Sequence, residues 1–272
     1  MPDAIYRLPR TDREWKRLML QGELLAPITR RCFQQAGIGR GMRVLDVGSG
    51  VGDVSLIAAE LVGPRGSVLG VEIDEESNRR ARIRAAERGL SNVEFRSLDI
   101  ATAHIDREID AVVGRLVLMH LQDPIHVLRR LRALLRPGGV VAFVEPIVQG
   151  PYATTLPPSP TLAQLEVVRD RLRAAGPTIE QAMGLRLHAA FLRVGLPAPE
   201  LFVEQLAGGA DSPLIEYMAE TMYSISRHWV QLGIEGADRL DFDTFAERIR
   251  AEIGPSGCVM LHPIVAAWTR DR

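Results

Sequence analysis

The sequence predicts an α/β protein: a doubly wound, mostly parallel sheet of seven strands with an antiparallel edge and helical lid insertions. Three observations predict it. Residues 43 to 150 alternate short apolar runs with amphipathic helices, the order of a parallel sheet wound by right-handed crossovers. The first apolar run leads into a glycine-rich turn, as where a strand hands the chain to a helix in such folds. Two later apolar runs, beyond a looser helical stretch, suit an antiparallel edge.

Two helices are expected ahead of the sheet. Thr11 and Asp12 can cap one carrying Trp15, Leu18, Met19 and Leu25, and Pro27 can start a second through Ile28 and Phe33, ended by Gly37. Strand one is Val44 to Val47; the helix after it buries Val54, Ile57, Ala58 and Leu61, a helical spacing. Strand two is Val68 to Glu72, followed by a charged helix from Glu75 to Arg88 that stops at Gly89. Strand three is Val93 to Leu98 and strand four Ala111 to Met119. The next helix buries Leu128, Leu131 and Leu135, and the turn Arg136-Pro137-Gly138-Gly139 delivers strand five, Val140 to Val144. Helices are expected at 161–175, 180–194, 213–232 and 242–252, with late strands at 200–206 and from Cys258 to Trp268. Leu156-Pro157-Pro158-Ser159-Pro160 reads as a loop. The expected organisation is an N-terminal helical lid at 1–41, a core at 42–150 and a remainder at 151–272, all in one compact unit. The stretches at 151–182 and 211–253 read as insertions over the carboxyl ends of the strands, where open α/β sheets bind ligands.

Composition excludes several classes. A chain of 272 residues with 46% hydrophobic and 25% charged side chains buries enough surface to need no disulfide or structural metal. Two cysteines, Cys32 and Cys258, are too few for a disulfide scaffold or a zinc cluster. No apolar run approaches the roughly 18 residues of a membrane span, and the first ten residues carry no apolar run, so a cytoplasmic protein is expected. The net charge of −1 argues against a nucleic-acid partner, which calls for a basic face. Lys16 is the only lysine, which excludes a phosphate-loop lysine and makes a pyridoxal-phosphate lysine implausible.

Val44-Leu45-Asp46-Val47-Gly48-Ser49-Gly50-Val51-Gly52-Asp53 is the most informative segment. Glycines let the backbone approach a ligand closely, and the helix that follows turns free amides toward an anionic group. The spacing is G-x-G-x-G rather than the dinucleotide G-x-G-x-x-G, and Glu72 ends strand two, where a carboxylate reaches both hydroxyls of a ribose.

With its neighbours this segment resembles the class I S-adenosylmethionine-dependent methyltransferases of the bacterial small-molecule type. VLDVGSGVGD is similar to their first motif, VLGVEID to the acidic second strand, NVEFRSLDI to the third strand with its adenine-binding aspartate, and LRPGGVVAFVEP to the turn and fifth strand. The resemblance is strong over residues 40 to 150 and implies a Rossmann-like core with S-adenosyl-L-methionine as cofactor. It implies that Gly48, Ser49 and Gly50 hold the methionine part and that Asp46 orients its ammonium. Glu72 would bind the ribose, Ile73 pack on the adenine, Asp99 and the Ile100 amide read the adenine edge, and Arg115 present its backbone to the methionine. Ile73 has core packing as its alternative, and Asp99 has capping of the following turn. Tyr6 and Gln21 are candidates to close over the cofactor, with packing of a helix on the sheet as the alternative.

A sulfonium already activates its methyl group, so the protein must chiefly align a nucleophile and exclude water. His120 after strand four and Glu145 ending strand five fall at the carboxyl edge as candidate bases. Each has an alternative: His120 holding the loop before Asp123-Pro124, Glu145 as a solvated loop carboxylate. His188, His228 and His262 read first as packing or surface residues. No spacing such as H-E-x-x-H suggests a metal. Leu162, Leu165, Met183, Leu187, Met218, Met222, Tyr223 and Trp229 are candidates to line an apolar pocket for a small hydrophobic or aromatic acceptor, with ordinary packing as the alternative. O-, N- and C-methylation stay open, as does the oligomeric state. The rivals are a nicotinamide-dependent oxidoreductase, which lacks its Tyr-x-x-x-Lys pair here, a nucleic-acid methyltransferase, and a non-catalytic cofactor-binding protein on the same fold.

Overall fold

Capping side chains set the helix starts. Asp74 accepts the Ser77 amide at 2.6 Å, Asp123 the His126 amide at 2.8 Å and Ser159 the Leu162 amide at 3.1 Å. The computed structural model describes residues 11–105, 108–176 and 182–271. In chain order the elements are α1 (Asp12–Gln35), β1 (Arg43–Val47), α2 (Asp53–Val62), β2 (Ser67–Glu72), α3 (Glu75–Glu87), β3 (Val93–Ser97), β4 (Ile109–Arg115), α4 (Pro124–Arg132) and β5 (Leu135–Pro146). They continue with β6 (Ala153–Leu156), α5 (Pro160–Ala175), α6 (Met183–Arg193), β7 (Glu200–Glu204), β8 (Ala207–Gly209), α7 (Pro213–Gln231), α8 (Phe245–Ile253), β9 (Cys258–Leu261) and β10 (Ile264–Arg270).

The chain forms two compact units that interleave along the sequence, in place of the expected succession of lid, core and remainder in one unit. The sheet unit takes Leu25–Ile147, Ala182–Glu204 and the chain from Ile264. Its seven strands run in the order β3-β2-β1-β4-β5-β10-β7. Strands β1 to β5 are parallel, and β10 is antiparallel to both β5 and β7, so the expected antiparallel edge is present. Strand order reverses between β1 and β4, which opens a crevice at their carboxyl ends. Ile264 lies opposite both Pro146 and Glu204. The chain therefore leaves β5, leaves β7 and re-enters β10 at one edge of the sheet, the carboxyl edge of the parallel strands.

The helical unit takes the described residues up to Leu24, those from Val148 to Gly176, and Gln205–Pro263. Its core gathers Leu165, Ile215, Met218, Phe245, Ile249 and Val259, each fully buried. A small sheet in the order β6-β9-β8 belongs to it.

Several elements differ from expectation. Pro27 does not start a second helix; α1 runs through it. The bond that proline cannot make would go to the Glu23 carbonyl, and both residues are exposed, so water can satisfy that carbonyl. Leu25, Ile28, Cys32 and Phe33 of α1 are buried in the sheet unit, so residues 25–35 of the expected lid are part of the core. β4 stops at Arg115, and Leu118–His120 form a 3-10 turn instead of its last residues. The Arg-Pro-Gly-Gly segment lies within the long β5 as an irregularity of register between Ile109–Leu135 and Ala111–Val140. The run from Cys258 to Trp268 is two strands in two sheets, and β6 and β8 were absent from the expectation because four and three residues are too short to show a period.

The apolar residues assigned to an acceptor pocket are mostly core. Met183 and Leu187 pack within the sheet unit, while Leu162, Leu165, Met218, Met222 and Trp229 are buried in the helical unit; Tyr223 lies under the Arg13 guanidinium, 3.5 Å from its ring centre. His188 is exposed on α6 and His228 half-buried on α7. His262 is buried against the Tyr152 ring, 5.0 Å between centres, and burial pushes it down to about 4, so it is neutral near pH 7.

Phe245 is fully buried in the core of the helical unit. Phe245→Ala should cost about 3–5 kcal/mol of unfolding free energy. Hydrogen exchange should show the loss of protection concentrated in α5, α7, α8 and β9, with β1, β4 and β5 much less affected. Uniform loss over the whole chain would mean that the two units unfold as one.

Candidate active site

The site begins with the turn from β1 into α2. Gly48, Gly50 and Gly52 have φ of 65°, 51° and 89°, left-handed values that favour glycine. A Cβ on Gly48 would stand 2.5 Å from Val117 Cγ2, so the turns after β1 and β4 touch at a place with no room for a methyl group. A Cβ on Gly50 would meet nothing within 4 Å, which leaves open space over that backbone. The turn is pinned to its neighbour: Ser49 donates its amide to the Val71 carbonyl at 3.0 Å.

Beneath the turn, Asp46 is fully buried on β1. Ser55 Oγ of α2 donates to its Oδ2 at 2.5 Å, while Oδ1 and the Ser49 hydroxyl have no hydrogen-bond partner. Desolvation pushes Asp46 up to about 7, against the hydrogen bond from Ser55 and the charge of Arg115, which lower it. The Arg115 side chain is buried; it donates to Thr29 Oγ1 at 3.0 Å and stands 3.9 Å from Asp53, which Arg84 engages at 2.6 Å.

Glu72 sits at the mouth of the turn. Its carboxylate accepts the Gly50 amide at 3.2 Å and the Asp74 amide at 3.1 Å. Next along the edge, Ser97 Oγ donates to the Ile73 carbonyl at 2.9 Å, and the Leu98 amide donates to the Glu72 carbonyl at 3.1 Å. The Ile73 side chain is 65% exposed, which excludes its alternative as core. Asp99 is exposed and accepts the Ala101 amide at 2.8 Å, so it does make the local turn that was its alternative. Its second oxygen is not used by that bond.

After β4 the chain turns sharply. Leu116 has φ of 54°, left-handed for a non-glycine residue, and its amide still donates to the Val144 carbonyl at 2.9 Å. His120, half-buried, closes the 3-10 turn by donating its amide to the Val117 carbonyl at 3.0 Å. Glu145 departs from expectation: it is fully buried rather than facing an acceptor. Its carboxylate accepts three successive amides, Val117 at 3.0 Å, Leu118 at 2.8 Å and Met119 at 3.4 Å. Desolvation pushes it up to about 7 against those bonds, which pull it down. A carboxylate so engaged is not available as a base to an acceptor.

Asp46, Gly48, Ser49, Gly50, Glu72, Ile73, Asp99, Ile100, Arg115 and His120 thus lie along one edge of the sheet unit, at the ends of β1 to β4. Gln21 belongs to the helical unit, where it donates to Tyr217 Oη at 2.9 Å. Tyr6 lies outside the described residues. Ser55, Val117 and Thr29 escaped the sequence reading. Ser55 alone left a trace, a small polar residue on a helix face otherwise apolar; Val117 and Thr29 matter through contacts that no local pattern reveals.

A strand-order reversal, a G-x-G-x-G turn at its crevice and a carboxylate on the neighbouring strand define the class I S-adenosylmethionine-dependent methyltransferase fold. A family model described as a methyltransferase domain matches residues 38–173, half of the chain, and the chain belongs to that family. It is 35% identical over 137 residues to aklanonic acid methyltransferase of a Streptomyces species, covering 50% of this chain and 62% of that protein. It is 36% identical over 126 residues to nocamycin O-methyltransferase of Saccharothrix syringae, covering 46% and 45%. The matched stretch spans about half to three fifths of these relatives. Among solved structures, the YcgJ protein of Bacillus subtilis superposes with a TM-score of 0.57 at 17% identity, over 92% of this chain and 98% of that one, a likeness of fold. That family is one of methyltransferases, not of nicotinamide-dependent oxidoreductases. No helix among the described residues is long and apolar enough to cross a membrane, and no cluster of metal-ligating side chains occurs among them.

Gly48→Ala should lower stability by about 2 kcal/mol or more, from a left-handed alanine and its clash with Val117, read by urea unfolding; a smaller loss would mean that the two turns part easily. Asp46 gives a pH prediction. Its folded-state value near 7 lies above the ordinary 3.8, so its contribution is complete below about 3.8 and is lost as pH rises through about 7. Without ligand, β1 and β4 should exchange amide hydrogens more slowly at pH 5.5 than at pH 8, after correction for intrinsic rates. Asp46→Asn should remove much of that difference, and an unchanged difference would refute the assignment.

Proposed function

We propose that this protein transfers the methyl group of S-adenosylmethionine to a small-molecule acceptor, hydrophobic or aromatic, of the kind made in secondary metabolism. The observation that carries the reading is Glu72 held at the mouth of the glycine turn by the Gly50 and Asp74 amides. The relatives named for aklanonic acid and nocamycin support a small-molecule acceptor. The balance of 33 basic and 34 acidic side chains supports it over a nucleic acid.

The residues present fit the cofactor. The open space over Gly50 and the unpartnered Ser49 hydroxyl and Asp46 Oδ1 suit a polar amino-acid moiety, and Glu72 suits a ribose diol. Ile73 offers an exposed apolar face for a base, and Asp99 with the Ile100 amide offers an acceptor and a donor for its edge. When bound, the cofactor supplies a methyl group already activated on a sulfonium. The chain's part is to align an acceptor atom, exclude water and, for a hydroxyl or protonated amine, remove a proton. We assign proton removal to His120 at the carboxyl edge.

S-adenosylhomocysteine should bind in calorimetric titration, and Glu72→Ala should weaken it by about 1.5–3 kcal/mol, the size of hydrogen bonds to a charged acceptor. With an acceptor identified from co-purified ligand, His120→Gln should lower turnover about a hundredfold while leaving cofactor affinity nearly intact. Tight binding of a nicotinamide nucleotide without binding of S-adenosylhomocysteine would sink the proposal.

A further inference from the structure

We infer that Glu145 is a positioning residue for methyl transfer: by taking three successive amides, its carboxylate seats Val117 against Gly48 and sets His120 at the edge of the sheet. The inference rests on the functional reading above. It gives Glu145 a role different from that of a base.

The argument starts from backbone geometry. β4 and β5 run side by side with Arg115 opposite Val144, so Glu145 lies where β4 has just ended. There Leu116 takes its left-handed φ of 54°, an arrangement that is costly for a non-glycine residue. Three amides follow it in a tight turn, and in a buried place three donors need an acceptor. The Glu145 carboxylate has the lone pairs to take all three, at 3.0, 2.8 and 3.4 Å. Glutamine has a single acceptor oxygen and would turn donors of its own toward amide donors. Aspartate is shorter by one bond, about 1.5 Å, and would draw the carboxylate back from the three amides.

What separates this carboxylate from an ordinary cap is where the turn's other atoms go. Val117 Cγ2 stands 2.5 Å from the site of a Gly48 Cβ, and Val117 Cβ 3.1 Å from it, so Val117 forms one wall of the glycine turn. The Val117 carbonyl accepts the His120 amide at 3.0 Å, so the same residue fixes where His120 begins. A turn released from Glu145 would therefore disturb both the floor beneath the cofactor's amino-acid end and the placement of His120. The carboxylate is fully buried, and it acts on the reacting groups only through the turn.

The test uses Glu145→Gln and Glu145→Asp in the full chain, with S-adenosylhomocysteine as probe and isotope-labelled histidine for NMR. Glu145→Gln should raise the S-adenosylhomocysteine dissociation constant about tenfold or more, shift the His120 ring resonances and its titration midpoint, and speed exchange of the Val117, Leu118 and Met119 amides. Glu145→Asp should move the same readouts in the same direction, less far, and serves if the glutamine variant does not fold. Leu131→Ala, a buried α4 residue that none of these contacts involves, controls for general destabilisation. It should lower the melting temperature while leaving probe affinity and His120 titration alone. If folded Glu145 variants bind the probe within twofold of wild type with an unchanged His120 titration, the inference is overturned. If wild type itself does not bind the probe, the functional reading fails, and an unmoved His120 titration in the variants would then overturn the positioning role on its own.

Discussion

The contact on which the site depends is that of Val117 with Gly48, at a place where a methyl group has no room. A parallel sheet brings the ends of β1 and β4 side by side because they are neighbours at the strand-order reversal. Only a left-handed glycine lets the first turn fold under the second, and the same turn then directs the Gly50 amide to Glu72 on the far side. A single small residue thus joins three strand ends. The Ser49 amide bond to β2 and the Ser55 bond to Asp46 hold the arrangement from outside and from below.

Charge is arranged around that contact with some economy. Two buried carboxylates, Asp46 and Glu145, are pushed up to about 7, yet each is solvated by protein donors, the one by a hydroxyl and the other by three amides. Arg115 adds a buried cation whose field lowers Asp46, and Asp53 stands between it and Arg84. Removing one member of such a set leaves an unpaired buried group, which costs more than the pair contributes. Replacement by a neutral residue of similar size therefore says more about each member than truncation does.

The middle of the sheet was legible because β1, β2, β4 and most of β5 are buried on both faces and interrupted by turns that glycine and charged helices mark. Glu72 and the glycines were legible because spacing along one crossover determines their separation in space. Pro27 misled, since a proline suggests a boundary while its missing bond falls on the wet side of α1. The fate of Glu145 was invisible for a different reason. Whether a carboxylate at a strand end faces solvent or turns inward depends on the conformation of Leu116 just past the neighbouring strand, 29 positions earlier, and no local pattern carries that. The core of the helical unit was read as pocket lining because apolar residues at helical spacing look alike in both roles.

The interleaving of the two units bears on how the chain is made. β10 is the last strand of the sheet to leave the ribosome, yet it sits between β5 and β7. Until residues 264–270 emerge, β5 and β7 each carry an unsatisfied edge, and such edges invite pairing with other chains. Every residue of the glycine turn is translated long before, at 46–52, so an incomplete chain can possess the whole turn on a sheet that is still open. A nascent chain stalled short of β10 would carry the finished glycine turn beside an unpaired β5 edge, the kind of edge that invites pairing with other chains.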